Sequence, residues 1–175
     1  DPRVEKAYWI IGWWCPSITS KEYYALVVLD QILGNGKTSI LYRELKEKGL
    51  VYSVFSGDMG RPRDNLYVIS ATFDPQRYEE VRSKTLELLK NLRENLSDEE
   101  VQKAKERLIN SEIFAKEKVE SDAYYIGYAL TVAESLDYYK YFENNIRSVR
   151  RQDVLRVLEY LLKPVYNEIL MVPKR

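Results

Sequence analysis

The order of apolar patterns along the chain constrains its fold more than any other feature. Residues 7–14 (AYWIIGWW) are apolar or small throughout, which predicts a strand that is covered on both sides or lies at a domain interface. Residues 52–58 and 66–74 are separated by a turn-rich segment, and their alternation predicts a hairpin within one antiparallel sheet. Residues 167–172 (NEILMV) predict a closing strand.

Segments with a helical period fill most of the remaining chain. Capping boxes at Thr19–Glu22 and Ser97–Glu100, and an N-cap at Asp74 before Pro75, mark helix starts. The predicted helices cover residues 20–33, 39–46, 75–95, 98–113, 121–134, 137–147 and 152–162. The order predicts an α+β fold, in which one mostly antiparallel or mixed β-sheet is covered by several α-helices.

The chain shows no internal repeat or linker, so residues 1–175 are predicted to form a single domain. It begins at Asp1, without an initiator methionine, and enters a strand almost at once. We therefore expect it to be a piece of a longer chain.

The composition excludes several classes of site and partner. The 175 residues include no histidine, so the chain cannot form a Ser-His-Asp triad, a Cys-His pair or a histidine zinc site. Its 27 basic and 27 acidic residues balance, which argues against a nucleic-acid partner. No apolar run is long enough to predict a membrane span. The lone Cys15 closes an apolar run and is predicted to be buried packing.

Two further features invite a binding role and have simpler interpretations. Residues 34–38 (GNGKT) end like a phosphate-binding loop, but they lack its first glycine and follow a helix, so they are predicted to be a helix end and a turn. Among the fifteen tyrosines, the pairs on predicted helices are expected to pack against the sheet at helical spacing; they are Tyr23-Tyr24, Tyr124-Tyr125 and Tyr138-Tyr139, with Tyr128 and Tyr141 nearby. A groove lined by Tyr124, Tyr125 and Tyr128 that binds a small ligand is the alternative.

Residues 38–54 (TSILYRELKEKGLVYSV) combine a short basic helix, a glycine break and Tyr52 at the start of a strand. Here a cation and a phenol could converge and donate hydrogen bonds to a carbonyl, or to an oxyanion forming on it. A purely structural turn is the other interpretation of the same residues.

The ordered set of segments resembles the C-terminal domain of the M16 metallopeptidases, the family of insulin-degrading enzyme, pitrilysin and mitochondrial processing peptidase. The resemblance rests on the opening strand before Pro16 and on the segments DQILGNG (30–36), SILYREL (39–45), GLVYSV (49–54) and SDEEVQKAK (97–105). It covers nearly the whole chain.

The resemblance implies a non-zinc, substrate-binding domain that alone hydrolyses nothing. Its expected partners are an N-terminal M16 domain of the same parent chain, a second M16 half and an unfolded peptide, with zinc held in the partner domain or subunit. Tyr52 matches the family's tyrosine, which would donate to the scissile carbonyl. Lys46 is the positional match for the family's arginine, and Arg43 is the alternative cation. An inactive M16-like scaffold or assembly subunit is the competing expectation.

Overall fold

The computed structural model describes residues 5–116, 119–164 and 166–173, with only the backbone of residue 116. Within these residues the strands are β1 (Ala7–Cys15), β2 (Ser53–Asp58), β3 (Asn65–Phe73) and β4 (Asn167–Met171). They form one four-stranded sheet in the order β2-β3-β1-β4, and every pairing is antiparallel. The predicted α+β class, the hairpin and the closing strand are confirmed.

Helices occupy most of the described chain between and after the strands. They are α1 (Tyr23–Leu33), α2 (Tyr78–Asn95), α3 (Asp98–Lys116), α4 (Val119–Thr131), α5 (Asp137–Lys140), α6 (Phe142–Ser148) and α7 (Arg151–Leu161). A π-helical turn covers Tyr42–Lys46, and a 3₁₀ turn covers Pro75–Arg77.

Three details of the predicted helices were wrong. The first helix begins at Tyr23 and not at residue 20, because the Ser20 hydroxyl accepts from the Glu22 amide within a preceding turn and no side chain caps the helix. The helix predicted over residues 137–147 is split at Tyr141 into α5 and α6. The short basic helix is π-helical in its second half. The capping box at Ser97 and Glu100 is confirmed by both of its hydrogen bonds.

The helices cover one face of the sheet. Trp9, Ile11 and Trp13 point into this layer and are almost fully buried, together with Tyr67 and Ile69 of β3. Tyr8 and Trp14 point to the opposite face and are about half exposed. Within the described residues, β1 is therefore covered on one side only, and its place at a domain interface stays a prediction.

The end of α1 lies unusually close to β2. An ideal Cβ placed on Gly34 would lie 1.7 Å from Ser56 Oγ. This hydroxyl donates to Asp30 Oδ1 at 2.7 Å, and the Tyr67 phenol donates to the same oxygen at 2.7 Å. Burial raises the pKa of Asp30, while these two hydrogen bonds act to lower it. Glycine at position 34 thus permits the packing of α1 on the hairpin.

Gly34→Ala is expected to lower the free energy of unfolding by about 2–4 kcal/mol, because the methyl group must displace Ser56 and break its bond to buried Asp30. Urea denaturation followed by circular dichroism measures the change. The matched control is Gly127→Ala in α4, where an added Cβ meets no atom within 4 Å; this variant should gain up to about 1 kcal/mol from helix propensity. Equal effects of the two variants would contradict the steric explanation.

Candidate functional site

Tyr52 lies at the point where the chain enters the sheet. Gly49, with φ +68°, turns the chain after the π-helical turn, and the amides of Leu50 and Val51 both donate to Leu45 O. The Arg77 guanidinium donates to Gly49 O at 2.5 Å. The Tyr52 amide then donates to Thr72 O at 2.7 Å, directly before β2 begins. The backbone of Tyr52 is therefore fixed, while its side chain is 44% exposed.

Two charged side chains contact the Tyr52 phenol. Its hydroxyl donates to Asp74 Oδ1 at 2.7 Å, and the Lys6 ammonium lies 4.2 Å from the centre of its ring. The hydrogen bond to Asp74 is the main reason that the pKa of Tyr52 is raised, and the positive charge of Arg77 opposes this shift. The phenol is therefore neutral at ordinary pH and can act as a hydrogen-bond donor.

Neither Asp74 nor Lys6 was identified from the sequence as a partner of Tyr52. Asp74 was predicted to cap a helix, and it does precede the 3₁₀ turn, but its side chain makes no capping bond. The register explains the meeting, because Ala7 pairs with Phe73 and Ser53 pairs with Thr72. The starts of β1 and β2 thus lie beside the end of β3, at the same end of the sheet. The predicted hairpin of β2 and β3 brings Asp74 to Tyr52. Lys6 comes close only because β1 pairs with β3, and local sequence patterns do not predict a pairing between such distant segments.

The predicted cations Lys46 and Arg43 lie on the π-helical turn. Leu45 between them is fully buried, Lys46 is partly exposed and Arg43 is exposed. Among the residues that the structure describes, no hydrogen bond or ion pair connects either cation with Tyr52. Arg43 instead lines a surface groove against α2, together with Lys84. The structure thus places Lys6 against the phenol, and Lys46 and Arg43 on the adjacent turn.

The chemistry available around Tyr52 is hydrogen-bond donation to an acceptor. A tyrosine hydroxyl has one proton, and Asp74 now accepts it. A carbonyl oxygen that competes with Asp74 would receive this proton as a hydrogen bond, with the Lys6 charge close by. The arrangement suits the stabilisation of an oxygen that becomes negative.

The side chains that the structure describes do not fit a zinc ion. No group of three or more His, Cys, Asp or Glu in this part of the chain could hold a metal, and the sequence contains no histidine. None of the helices in the described part of the chain has the length and apolar character needed to cross a membrane.

The tyrosines of α1 and α5 pack on one another, whereas the sequence predicted packing against the sheet. Tyr23, Tyr24 and Tyr138 lie with ring centres about 6.2 Å apart, and burial is the first cause that raises the pKa of each. A cleft of about 910 Å³ beside this cluster is lined by Tyr24, Tyr138 and Tyr141, and not by the predicted groove residues. Of the latter, Tyr124 and Tyr125 are exposed, and Tyr124 stacks on Tyr128.

Cys15 and the segment 34–38 were both predicted to have structural roles. Burial, followed by the charge of Asp58, raises the pKa of Cys15 to about 12, so this partly buried thiol is protonated. The segment 34–38 ends α1, and the Gly34 amide donates to Asp30 O as a helix C-cap. The predicted helix end and turn are confirmed. Cys15 packs against the core as predicted, but it is only partly buried.

The comparisons with known proteins agree with this architecture. The family profile described as "Peptidase M16 inactive domain" matches residues 1–108, which is more than half of the chain. The chain belongs to the M16 peptidase family. The resemblance inferred from the sequence is thus confirmed, and so is its assignment to the inactive domain of this family.

Two curated relatives are similar to about two thirds of this chain. An uncharacterised zinc protease of Streptomyces coelicolor is 31% identical over 117 residues, which are 66% of this chain and 26% of that protein. One from Bacillus subtilis is 27% identical over 123 residues, 68% of this chain and 30% of that protein. The chain therefore spans less than a third of the length of either relative.

The fold is shared with two solved structures. A protease from Helicobacter pylori superposes with a TM-score of 0.87 at 23% identity, over 95% of this chain and 41% of that chain. The peptidase M16 inactive domain from Pseudomonas fluorescens gives a TM-score of 0.82 at 18% identity, over 98% of this chain and 42% of that chain.

Proposed function

We propose that this M16 inactive domain is the substrate-binding, non-zinc C-terminal domain of a zinc metallopeptidase, and that Tyr52 is its catalytic contribution. The observation that carries the proposal is the half-exposed phenol of Tyr52, held on a fixed backbone with its hydroxyl proton available for exchange between acceptors. Residues 1–175 act as one domain, the second of an M16 half.

Tyr52 acts on the carbonyl of the scissile peptide bond. As the carbonyl carbon is attacked, its oxygen gains negative charge and becomes a stronger acceptor than before. The Tyr52 hydroxyl then turns from Asp74 to this oxygen, and the Lys6 ammonium over the ring favours the same negative charge. The exchange gives up an exposed hydrogen bond to one carboxylate and gains one to the developing oxyanion.

Lys46 is the proposed substrate-holding cation, with Arg43 as the alternative. The Lys46 ammonium makes no hydrogen bond or ion pair among the described residues, which leaves it available to a peptide. It lies on the turn that leads into Tyr52. As a point charge it can bind a carbonyl or a carboxylate, but it cannot form the bidentate contact of an arginine.

The zinc ion of the parent peptidase belongs to another domain. The curated relatives are named zinc proteases and are more than three times as long as the segment matched here. Zinc and its base are therefore proposed to reside in an N-terminal M16 domain of a longer chain or in a partner half. An unfolded peptide is the proposed substrate of the assembly.

Reconstitution tests this division of labour. The isolated chain, supplied with zinc, should show no turnover of an unfolded peptide. A parent protein from which residues 1–175 are deleted should also be inactive, and addition of the isolated chain should restore turnover at least in part. Zinc-dependent hydrolysis by the isolated chain, or full activity of the truncated parent, would overturn the proposal.

The engagement of Tyr52 by Asp74 favours a second candidate, an inactive M16-like scaffold or assembly subunit. A scaffold keeps this hydrogen bond and never releases it. It would support assembly of its partners in reconstitution without changing their peptide turnover.

A further inference from the structure

The turn after α1 contains the only asparagine of the chain that is followed by glycine, in the pair Asn35-Gly36. Both residues are exposed and lie between α1 and the π-helical turn. Asparagine is among the thermally labile residues of proteins. Its side-chain amide reacts most readily when glycine follows, because glycine has no side chain to shield its backbone nitrogen. The pair therefore has the composition of a site that modifies itself without an enzyme.

The backbone nitrogen of Gly36 is free to react. Among the residues that the structure describes, none accepts a hydrogen bond from this amide. An ideal Cβ on Gly36 would meet no atom within 4 Å, and the residue has φ +83°. No hydrogen bond has to break before the nitrogen can attack, and the space beside the residue is open.

The Asn35 side chain is held by one surface contact. Its Nδ2 atom donates to Gln31 Oε1 at 3.1 Å, and this bond is exposed. Its backbone amide donates to Asp30 O at 3.1 Å, at the end of α1. Water can replace the exposed side-chain bond at little cost. The side chain can therefore turn towards the Gly36 nitrogen while the backbone of Asn35 stays attached to the helix.

We propose that Asn35 is a site of spontaneous deamidation, with water as the co-reactant. The Gly36 nitrogen forms a bond to Asn35 Cγ, the Cγ–Nδ2 bond breaks, and Nδ2 leaves as ammonia with the proton of the Gly36 amide. The product is a succinimide ring. Water then adds to one of the two ring carbonyl carbons and opens the ring to aspartate or to isoaspartate. No atom is oxidised or reduced, and the site is independent of the Tyr52 mechanism.

The isoaspartate product disturbs a buried contact. Ser39 is 1% exposed, and its hydroxyl and its amide donate to Gly36 O at 2.7 Å and 3.2 Å. Isoaspartate routes the main chain through the former side chain and so adds a methylene group before Gly36, which moves this oxygen. A buried hydroxyl that loses its acceptor destabilises the folded protein. Isoaspartate therefore weakens the start of the segment that leads to Tyr52, whereas aspartate keeps the main chain unchanged.

Peptide mapping of the full chain during storage in warm, mildly alkaline buffer tests this assignment. Trypsin releases Asn35 in residues 22–37 and Asn110 in residues 108–116. Mass spectrometry detects the replacement of NH₂ by OH, and enzymatic methylation detects isoaspartate. Asn110 is the internal control, because it is exposed and precedes a serine but lies within α3, which must open locally before it can react.

Asn35 should be modified at least about ten-fold faster than Asn110, because only Asn110 is protected by a helix. Both aspartate and isoaspartate should form at position 35. Equal rates at the two asparagines, or an unmodified Asn35, would overturn the proposal.

Two substitutions test the chemistry of the step. Asn35→Gln keeps a side-chain amide, but its longer side chain closes a ring slowly, so residues 22–37 should stay unmodified. Gly36→Ala adds a methyl group beside the attacking nitrogen and should slow the reaction several-fold. The added Cβ meets no atom within 4 Å, and circular dichroism verifies folding at this positive φ. An unchanged rate in either folded variant would contradict attack by the Gly36 nitrogen.

Urea denaturation measures the structural consequence. After storage, the fraction of the chain that carries isoaspartate should unfold at a lower urea concentration than fresh protein. Asn35→Gln stored in the same way, and fresh Asn35→Asp, should keep the original midpoint. An unchanged midpoint in the isoaspartate fraction would contradict the role of the Ser39 contact. None of these measurements needs peptide turnover, so their failure is distinguishable from a failure of the proposed function.

Discussion

Replacement of Tyr52 by phenylalanine in the parent peptidase is expected to lower kcat by about 100- to 1,000-fold, with little change in KM. The variant keeps the ring and its contact with Lys6 but loses the hydroxyl, which donates to Asp74 in this structure. Loss of a donor that acts mainly in the transition state lowers kcat and leaves ground-state binding largely intact. Steady-state kinetics on an unfolded peptide measure both constants.

Tyr124→Phe is the matched control for this substitution. Tyr124 is exposed on α4, and its ring contacts Tyr125 and Tyr128 without needing the hydroxyl. The kcat of the Tyr124→Phe variant should equal that of the unmodified enzyme. An unchanged kcat in Tyr52→Phe would remove Tyr52 from the mechanism and leave the scaffold as the better account.

Glu168→Gln is expected to lower the free energy of unfolding by about 2–3 kcal/mol at neutral pH. Glu168 on β4 accepts from Trp9 Nε1 at 2.7 Å, from the Tyr78 hydroxyl at 2.9 Å and from Arg82 Nε at 2.9 Å. The amide removes the negative charge that pairs with Arg82, and its NH2 group cannot accept the second bond, from Arg82 Nε to Oε2 at 3.1 Å. β4 is an edge strand, and the hydrogen bonds of this carboxylate connect it with β1 and α2.

The pH dependence of stability checks the same contact. Burial raises the pKa of Glu168, but hydrogen bonds from Arg82, Trp9 and Tyr78 outweigh it, so the pKa lies below its ordinary value. A lowered pKa stabilises the folded protein above the ordinary glutamate pKa, and this contribution disappears as the pH falls through the folded pKa. The difference between the original protein and Glu168→Gln should therefore shrink in acid. Denaturant unfolding at several pH values measures it.

A surface ion pair provides the control for Glu168. Glu159 pairs with Arg93 at 2.6 Å, but both side chains are about half exposed. Glu159→Gln should therefore change the free energy of unfolding by no more than about 0.5 kcal/mol. Equal losses in the two variants, or a loss in Glu168→Gln that does not vary with pH, would contradict the assigned role of Glu168.

Local patterns were sufficient to predict most of the elements. Short apolar runs, alternation in the hairpin and period-3.6 spacing depend only on near neighbours, and they located all four described strands and the bodies of the long helices. Element ends were less predictable, as at Ser20, because a capping pattern forms only if the chain around it takes the required turn. The π-helical turn over Tyr42–Lys46 was also missed, because apolar spacing over so few residues does not distinguish it from an α-helix.

The sequence by itself determined that this chain is an α+β domain without histidine ligands for zinc, and that Tyr52 stands where a basic turn meets a strand. Only the tertiary structure decided what surrounds that phenol. Asp74 reaches Tyr52 because β2 pairs with β3 in the hairpin. Lys6 reaches it because β1 also pairs with β3, a contact between residues far apart in sequence. Helix packing also decided which face of the sheet is buried, since alternation defines two faces but not which of them the helices cover.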